Sequence, residues 1–400
     1  MRHLTPIARS LAILAITSAG AASWPAAAQH IEPQRPSSTQ QRGSIGQPFP
    51  GVVKDLEVIG PDRFVITISD RPVGGSEHVE IHTPEGPVGR PFVPDERKVY
   101  DIASTHDGRF WVLYYSADEV SESQAPAAGL RLRQFSSDGE PVGEAMLLTG
   151  SLLTEPDAFD QPRRGMIIPF QSGAVAVAFT SFVSGTRMHE LHLVTFSPDG
   201  AEGSTDVLED RLTHMPTVDA LPLADGGAAM AWSSGSPMGE NLYLTILQPD
   251  GQWSDSVQSI WVSSNGRGRA FNLRLAPITG SDDISVTFTV GDDQLWQRFD
   301  QNGVARSGVE VLNSTGALIE PVRIDEGRLV GLAEGLDRPA GLYTVAQGDA
   351  DLAQVESLNA RITAFDEEAR DSVVVAVAVP PLPDAAAEAP TFSYLYRIGR

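Results

Sequence analysis

Residues Leu221 to Trp253 read LPLADGGAAMAWSSG, then a connection of five residues, then NLYLTILQPDGQW. The stretch holds an apolar run, a DG turn, a second run apolar on both faces, a variable loop, an alternating third run and a second DG turn. Short β-type runs separated by Gly-marked turns are the pattern of successive antiparallel strands. The same order returns as ASTHDGRFWVLYYSAD with LRLRQFSSDGEPVGEAMLL over Ala103 to Leu148. It returns again as PFQSGAVAVAFTSF with ELHLVTFSPDGAEG over Pro169 to Gly203. Fainter copies pair VIGPDRFVITISD with HVEIHTPEGPVGRPF, APITGSDDISVTFTV with QLWQRFDQNGVARSG, RIDEGRLVGLAEG with GLYTVAQGD, and RDSVVVAVAV with TFSYLYRIGR.

The second runs begin near Phe64, Phe110, Ala174, Ala228, Ile284, Leu329 and Val373. These starts lie about 45 to 65 residues apart, the period of four-stranded propeller blades. The expected fold is therefore all-β: one seven-bladed β-propeller of four-stranded antiparallel blades over residues 44–400. Runs such as AVAVAF and VVVAVAV are apolar on both faces, as a strand between two neighbouring blades must be. The Asp-Gly and Asn-Gly pairs at 138–139, 199–200, 250–251 and 302–303 predict tight hairpin turns with positive φ, and turn chemistry accounts for them without calcium. The seventh unit supplies three strands before Arg400, whereas Gly43 to Gly51 (GSIGQPFPG) resembles the fourth-strand segment GPVGRPFVP at Gly86 to Pro94. An N-terminal strand is expected to complete the last blade and remove the open edges of the ring.

Ahead of the repeats, Arg2 and Arg9 flank the start of an apolar stretch from Leu11 to Ala22, followed by small residues at Ala26-Ala27-Ala28. This is the layout of a secretory signal peptide over residues 1–28, with cleavage near Gln29 and export to the periplasm or medium. Residues 29–43 are polar and rich in Gln, Pro and Ser, and read as a flexible linker. No later segment is long and apolar enough to predict a membrane span. There is no cysteine, which excludes disulfides, thiol chemistry and Cys-zinc sites. The formal net charge of −23, with Lys54 and Lys98 the only lysines, argues against nucleic acid and anionic lipid as partners.

The LADGG-AAMAW run with QRFDQNG at Gln297 to Gly303 resembles the blades of bacterial exported propeller proteins, whose units carry "ADGG-VVxW … QRFDxxG" patterns. The resemblance implies the propeller fold. It implies no common activity, so no catalytic residue is carried over. The Trp-Asp signature of WD40 blades and the Asp box of sialidases are both missing.

Propeller ligands usually meet the end of the ring built from fourth-to-first and second-to-third strand loops. This register sends Arg97 and Lys98 there ahead of blade two, Arg163 and Arg164 ahead of blade three, Arg211 and His214 ahead of blade four, and Arg267 and Arg269 ahead of blade five. Arg187 and Arg338 fall in second-to-third loops. Arginine donates two parallel hydrogen bonds to carboxylate, sulfate or phosphate, so these cations are candidate ligands for an anionic small molecule or glycan. The competing explanation pairs each with nearby acids such as Asp95, Glu96, Asp160 and Asp210. His214 is the candidate general base. Asp55, Asp101 and Asp219, joined by Glu320, align at equivalent first-strand positions facing the channel, where they either hold Ca²⁺ or are polar because the channel is wet. The His78/His82 and His189/His192 pairs are badly spaced for one metal.

No nucleophile elbow, phosphate loop, zinc-protease motif or dinucleotide fingerprint stands in a suitable context. The leading expectation is thus an exported, monomeric binding or scaffold propeller with no obligatory cofactor, recognising an anionic ligand or a protein partner. Two alternatives remain: a lyase or hydrolase acting on an acidic polysaccharide, and a calcium-stabilised structural module.

Overall fold

The computed structural model describes residues 44–399 apart from 71–75, 106, 117–128, 149–163, 184–185, 187, 199, 237–238, 253–256, 263–269, 292, 314–318, 326–327, 336–337, 347–352, 359–360, 370–371 and 380–390. The expected signal peptide, the linker, Arg163, Arg187, Arg267 and Arg269 lie outside the described residues. The described chain is all β, and it contains no helix long and apolar enough to cross a membrane.

Strand β1 (Ser44–Pro50) is followed by blade 1: β2 (Val52–Gly60), β3 (Arg63–Ser69), β4 (Glu77–Thr83) and the first half of β5 (Gly86–Ser104). The second half of β5 opens blade 2, continued by β6 (Phe110–Ser116), β7 (Gly129–Phe135) and β8 (Pro141–Leu147). Blade 3 is β9 (Arg164–Pro169), β10 (Val175–Val183), β11 (Met188–Phe196) and β12 (Glu202–Leu212). Blade 4 is β13 (Val218–Pro222), β14 (Ala228–Ser236), β15 (Gly239–Leu247) and β16 (Gln258–Val262). Blade 5 is β17 (Ala270–Pro277), β18 (Ile284–Val290), β19 (Asp293–Phe299) and β20 (Glu310–Asn313). Blade 6 is β21 (Ile319–Asp325), β22 (Arg328–Gly335), β23 (Arg338–Ala346) and β24 (Ala353–Leu358). Blade 7 is β25 (Arg361–Ala369), β26 (Ser372–Val379) and β27 (Phe392–Gly399), completed by β1 in antiparallel register with β27. The chain is a seven-bladed propeller, and its second strands start within one residue of the positions expected from the repeat.

The core lies between blades. In β10, Val175, Val177 and Phe179 pack against blade 2, while Ala174, Ala176 and Ala178 at its start face blade 4. In β26, Val373, Val375 and Val377 meet blade 6, and Val374 and Ala376 meet blade 1. Successive strand residues point to opposite faces, so a strand sandwiched between two blades needs both sets apolar. That is the physical cause of the unbroken apolar runs in the sequence. The closing strand is held the same way, with Ile45 and Phe49 of β1 packed beside Leu56, Phe64 and Ile66 of blade 1.

The Gly-marked hairpins share one construction. The Gly139, Gly200, Gly251 and Gly303 amides donate to the carbonyls of Ser136, Ser197, Gln248 and Asp300, three residues back, and the φ of these glycines lies between 77° and 83°. At Gly139, Gly251 and Gly303 positive φ falls on the Gly and not on the residue before it, which marks a type I turn with a Gly bulge in place of a two-residue mirror-image turn. A Cβ would lie 3.2 Å from the Ile246 side chain at Gly303 and 3.4 Å from the Thr195 side chain of blade 3 at Gly251.

Candidate functional site

The first strand of each blade is an edge strand, so one row of its amides has no partner inside its own sheet. Among the described residues, several of these amides are met by carboxylates of the preceding blade, including the Val99 amide by Glu77 Oε2 at 3.0 Å. Asp55 Oδ2 accepts from the Ile102 amide at 2.9 Å, Asp101 Oδ2 from Ile167 at 2.5 Å, and Asp219 Oδ2 from Leu275 at 2.6 Å. A second tier uses Glu57 Oε2, which accepts from Ser104 at 3.0 Å, and Asp366 Oδ2, which accepts from Val58 at 2.7 Å. Each of these first-strand carboxylates stitches one inner strand to the next around the ring.

The register explains the regularity. Asp55, Asp101 and Asp219 stand opposite Thr67, Leu113 and Ala231, the fourth residues counted from Phe64, Phe110 and Ala228, and Glu320 stands opposite Leu332 at the same position. At that position blades 3, 5 and 7 carry Met166, Arg274 and Ala364. In β2 and β5 an extra residue, Lys54 or Tyr100, bulges the strand just before the aspartate. Bulges bend a strand and redirect the next side chain, here toward the neighbouring blade.

The expected first-strand carboxylates thus occupy equivalent positions, but their work is between blades. The Asp55 charge acts on Asp101 across the seam between blades 1 and 2. Asp219 sits apart on blade 4, with Arg274 Nη1 3.7 Å from its Oδ1. Among the described residues, no three His, Asp or Glu side chains converge in a way that would hold a metal ion. Glu57 and Asp366 escaped the sequence reading, although the DLE triplet at 55–57 signals two acids on one face of a strand.

Electrostatically, the group is unusual. Burial pushes Asp55 up to about 6, against the amides of Ile102 and Leu56 that favour its charge. Burial, then the Asp55 charge, holds Asp101 well above the usual carboxylate range. Glu57 is raised by burial and by the charges of Asp366 and Asp55. Low local dielectric and like charge both favour the protonated forms.

Above the second tier lies a cavity of about 570 Å³, lined by Val58 to Pro61, Ser104, Thr105, Pro169, Phe170, Gln171 and Pro222. Its walls come from the inner-strand ends of blades 1 to 4, where first strands turn into second strands. This is the opposite end of the ring from the loops expected to bind ligand. Val58 and Ser104, which line it, are the residues whose amides Asp366 and Glu57 hold. The Thr105 hydroxyl is engaged by Asp107 and the Arg109 carbonyl, and Ser172 donates across to the Pro249 carbonyl of blade 4 at 2.6 Å.

Among the described lining residues of this cavity there is no candidate cation. Lys98 is exposed, its ammonium 4.6 Å from the centre of the Tyr100 ring. Arg97 pairs in the ladder with Glu77, Arg164 opens β9, and Arg211 nearly ends β12. His214 is exposed in the connection from β12 to β13. Backbone position places these residues at the fourth-to-first end, on the approaches to blades 2, 3 and 4.

Two histidine sets are structural. Glu80 lies between His78 and His82, its oxygens 3.2 and 2.8 Å from their Nε2 atoms, and their hydrogen bonds hold Glu80 down at about 2. His192 is buried against the Phe179 ring, with Ser181 Oγ 2.8 Å from its Nε2, and burial lowers it to about 4. Glu190 approaches that same Nε2 at 3.4 Å, so the three groups do not form a hydroxyl–imidazole–carboxylate relay through opposite ring nitrogens.

No protein-family model matches the chain, and no curated protein sequence does. Solved structures with the same fold include the polysaccharide lyase Uly1 (TM-score 0.53, 9% identity, covering 87% of this chain and 90% of that one). Another is a PL25 ulvan lyase bound to -[GlcA(1-4)Rha3S]- (TM-score 0.53, 10% identity, 89% and 95% covered). A third is the β-propeller domain of the Trilobed protease from Pyrococcus furiosus, described as having an open velcro topology (TM-score 0.51, 9% identity, 88% and 96% covered). At these identities the likeness is one of fold.

Proposed function

We propose that the chain is an exported binding propeller that seats an uncharged ligand, or a turn of a protein partner, in the cavity at the first-to-second-strand end of its channel. The observation carrying this reading is the construction of the wall. Four blades contribute to it, and the inner-strand amides of Val58 and Ser104 beneath it are already bonded to Asp366 and Glu57. A wall with its backbone groups satisfied is preorganised, which lowers the ordering cost of binding. Pro61, Pro169 and Pro222 offer apolar contact, and Ser104 and Gln171 offer uncharged hydrogen bonds.

A second reading has support of its own. Lys98, Arg164, Arg211 and His214 fall on three consecutive blade approaches at the other end, and two solved structures of like fold are polysaccharide lyases. Arginines that neutralise a uronate beside a histidine base suit β-elimination on an acidic glycan. The two readings separate by thermal shift of the chain from Gln29 onward against neutral oligosaccharides, peptides, and uronate or sulfated oligosaccharides. A neutral ligand that raises the Tm, with the shift lost in Gln171→Trp, supports the cavity. A shift with acidic glycans alone, lost in Arg211→Ala and accompanied by an unsaturated-uronate chromophore, supports the lyase and overturns the cavity reading.

A further inference from the structure

Along an antiparallel strand, the N–H and C=O of one residue share an edge, and those of the next residue take the other edge. The Phe170 amide donates to the Ala174 carbonyl at 3.0 Å and the Phe170 carbonyl accepts from Gly173 at 3.0 Å, so both face β10. The backbone groups of Pro169 therefore face away from β10, toward the channel. Thr105, Leu223 and Ile278 make the same pair of turn bonds, which points Ser104, Pro222 and Pro277 the same way. Val58 holds the equivalent place in blade 1, opposite Phe64. At this level, blades 1 to 5 offer the channel no free amide. Asp366 and Glu57 take those of Val58 and Ser104, and Pro169, Pro222 and Pro277 have none to offer. One level deeper, the amides of Leu56, Ile102, Ile167 and Leu275 go to Asp55, Asp101 and Asp219.

The carbonyls of these residues share the edge of their amides, so the cavity mouth presents oxygen acceptors backed by two carboxylates. The Thr105 hydroxyl hydrogen is also held, by Asp107 or the Arg109 carbonyl, and no cation stands among the described lining residues. We propose that the cavity is an ammonium site: a lysine at the tip of a partner's turn seats its N–H groups on the channel-facing carbonyls of Ser104, Pro169 and Pro222. An ammonium donates three hydrogen bonds and accepts none, so it loses nothing on a wall without donors. An anion there would meet no backbone donor and would face Glu57 and Asp366. The four methylenes of a lysine fit a volume of about 570 Å³ and find Pro61, Pro169 and Pro222 for apolar contact. The inference rests on the cavity as the binding site and takes the partner turn as its occupant. A free amine presents the same chemistry and is separated by the test.

The test is thermal shift of the whole chain at constant ionic strength with three blocked peptides, acetyl-Gly-Lys-Gly-amide and its Met and Glu counterparts, and with n-butylammonium chloride. At about ten times its dissociation constant, the Lys peptide should raise the Tm by about 2 °C. The Met and Glu peptides should give less than half of that shift. Gln171→Trp, which fills the mouth, should abolish it. The double change Pro169→Ala with Pro222→Ala returns two amide N–H groups to the channel and should weaken Lys-peptide binding by at least about threefold. A Met peptide that shifts the Tm as much as the Lys peptide, with the shift lost in Gln171→Trp, overturns the ammonium and leaves the cavity reading standing. No shift with any peptide or amine overturns both. A Lys-peptide shift that survives Gln171→Trp places binding elsewhere on the acidic surface and overturns the site. n-Butylammonium that binds as tightly as the Lys peptide overturns the partner turn in favour of a free amine. The peptide comparison on the wild-type chain decides even if the double proline variant does not fold.

Discussion

Removing the Asp219 carboxylate tests whether inter-blade stitching stabilises the ring. Asp219 has a side chain only 13% exposed, and its Oδ2 accepts the Leu275 amide of blade 5 at 2.6 Å, with Arg274 close to Oδ1. Asp219→Ala leaves the amide without its acceptor, removing a charge-assisted bond worth about 1.5–3 kcal/mol. The Arg274 contact adds little, because that guanidinium is 40% exposed and solvent screens it. The expected loss is therefore about 2 kcal/mol. For a domain of about 350 residues, an unfolding entropy of about 2.1 cal/mol/K per residue converts this to roughly 3 °C in Tm. Asp219→Asn keeps an acceptor and should lose about half as much. Asp138→Ala removes a carboxylate that pairs with Arg63 but is 70% exposed, and should move the Tm by less than about 1 °C. Differential scanning calorimetry at pH 7 on the three variants measures all of this. If Asp219→Ala melts with wild type, or no lower than Asp138→Ala, the carboxylate-to-amide contacts are incidental and the reasoning fails.

Other consequences follow from single sites. His192 is held at about 4 by burial, below its ordinary 6.5, so between those values the unfolded chain takes up a proton that the folded chain refuses. Stability should fall by about 3 kcal/mol as pH drops through that window, and urea titrations of His192→Gln should show a shallower fall. Glu80, lowered to about 2 by its two histidines, contributes stability above its ordinary 4.5 that disappears as pH falls toward 2. Glu80→Gln should cost about 1–3 kcal/mol near neutrality, and the variant's deficit should narrow on acidification. Gly251→Ala forces a side chain to φ +83° against Thr195, and equilibrium unfolding should register a loss of about 1–3 kcal/mol. Gly280→Ala, with positive φ but open space around it, should lose less than Gly251→Ala in the same assay.

Much of the architecture was legible in local pattern because each blade repeats one physical problem. A second strand pressed between two blades must be apolar on both faces, and Val373 to Ala378 or Ala174 to Phe179 advertise that in one dimension. Turns at Asp138-Gly139 or Asn302-Gly303 need a positive φ that Gly supplies, so their spacing counts hairpins. The closing strand was legible too, since Gly43 to Gly51 copies a fourth-strand segment and β1 does pair with β27. The equivalent placing of Asp55, Asp101 and Asp219 came from the same repeat arithmetic.

What those aspartates do was decided only in three dimensions. A repeat alignment places a residue along its strand, but not which way a bulge at Lys54 or Tyr100 turns the next side chain. Nor does it tell which amide of the next blade stands 2.5 to 2.9 Å away. The cavity was invisible for the same reason: Pro61, Ser104, Phe170 and Pro222 are far apart in sequence and individually unremarkable in type. They meet because ring closure brings the inner-strand ends of four blades to one mouth. Local periodicity determined the blades and their order, whereas contacts between blades depend on ring geometry that no single blade's sequence encodes.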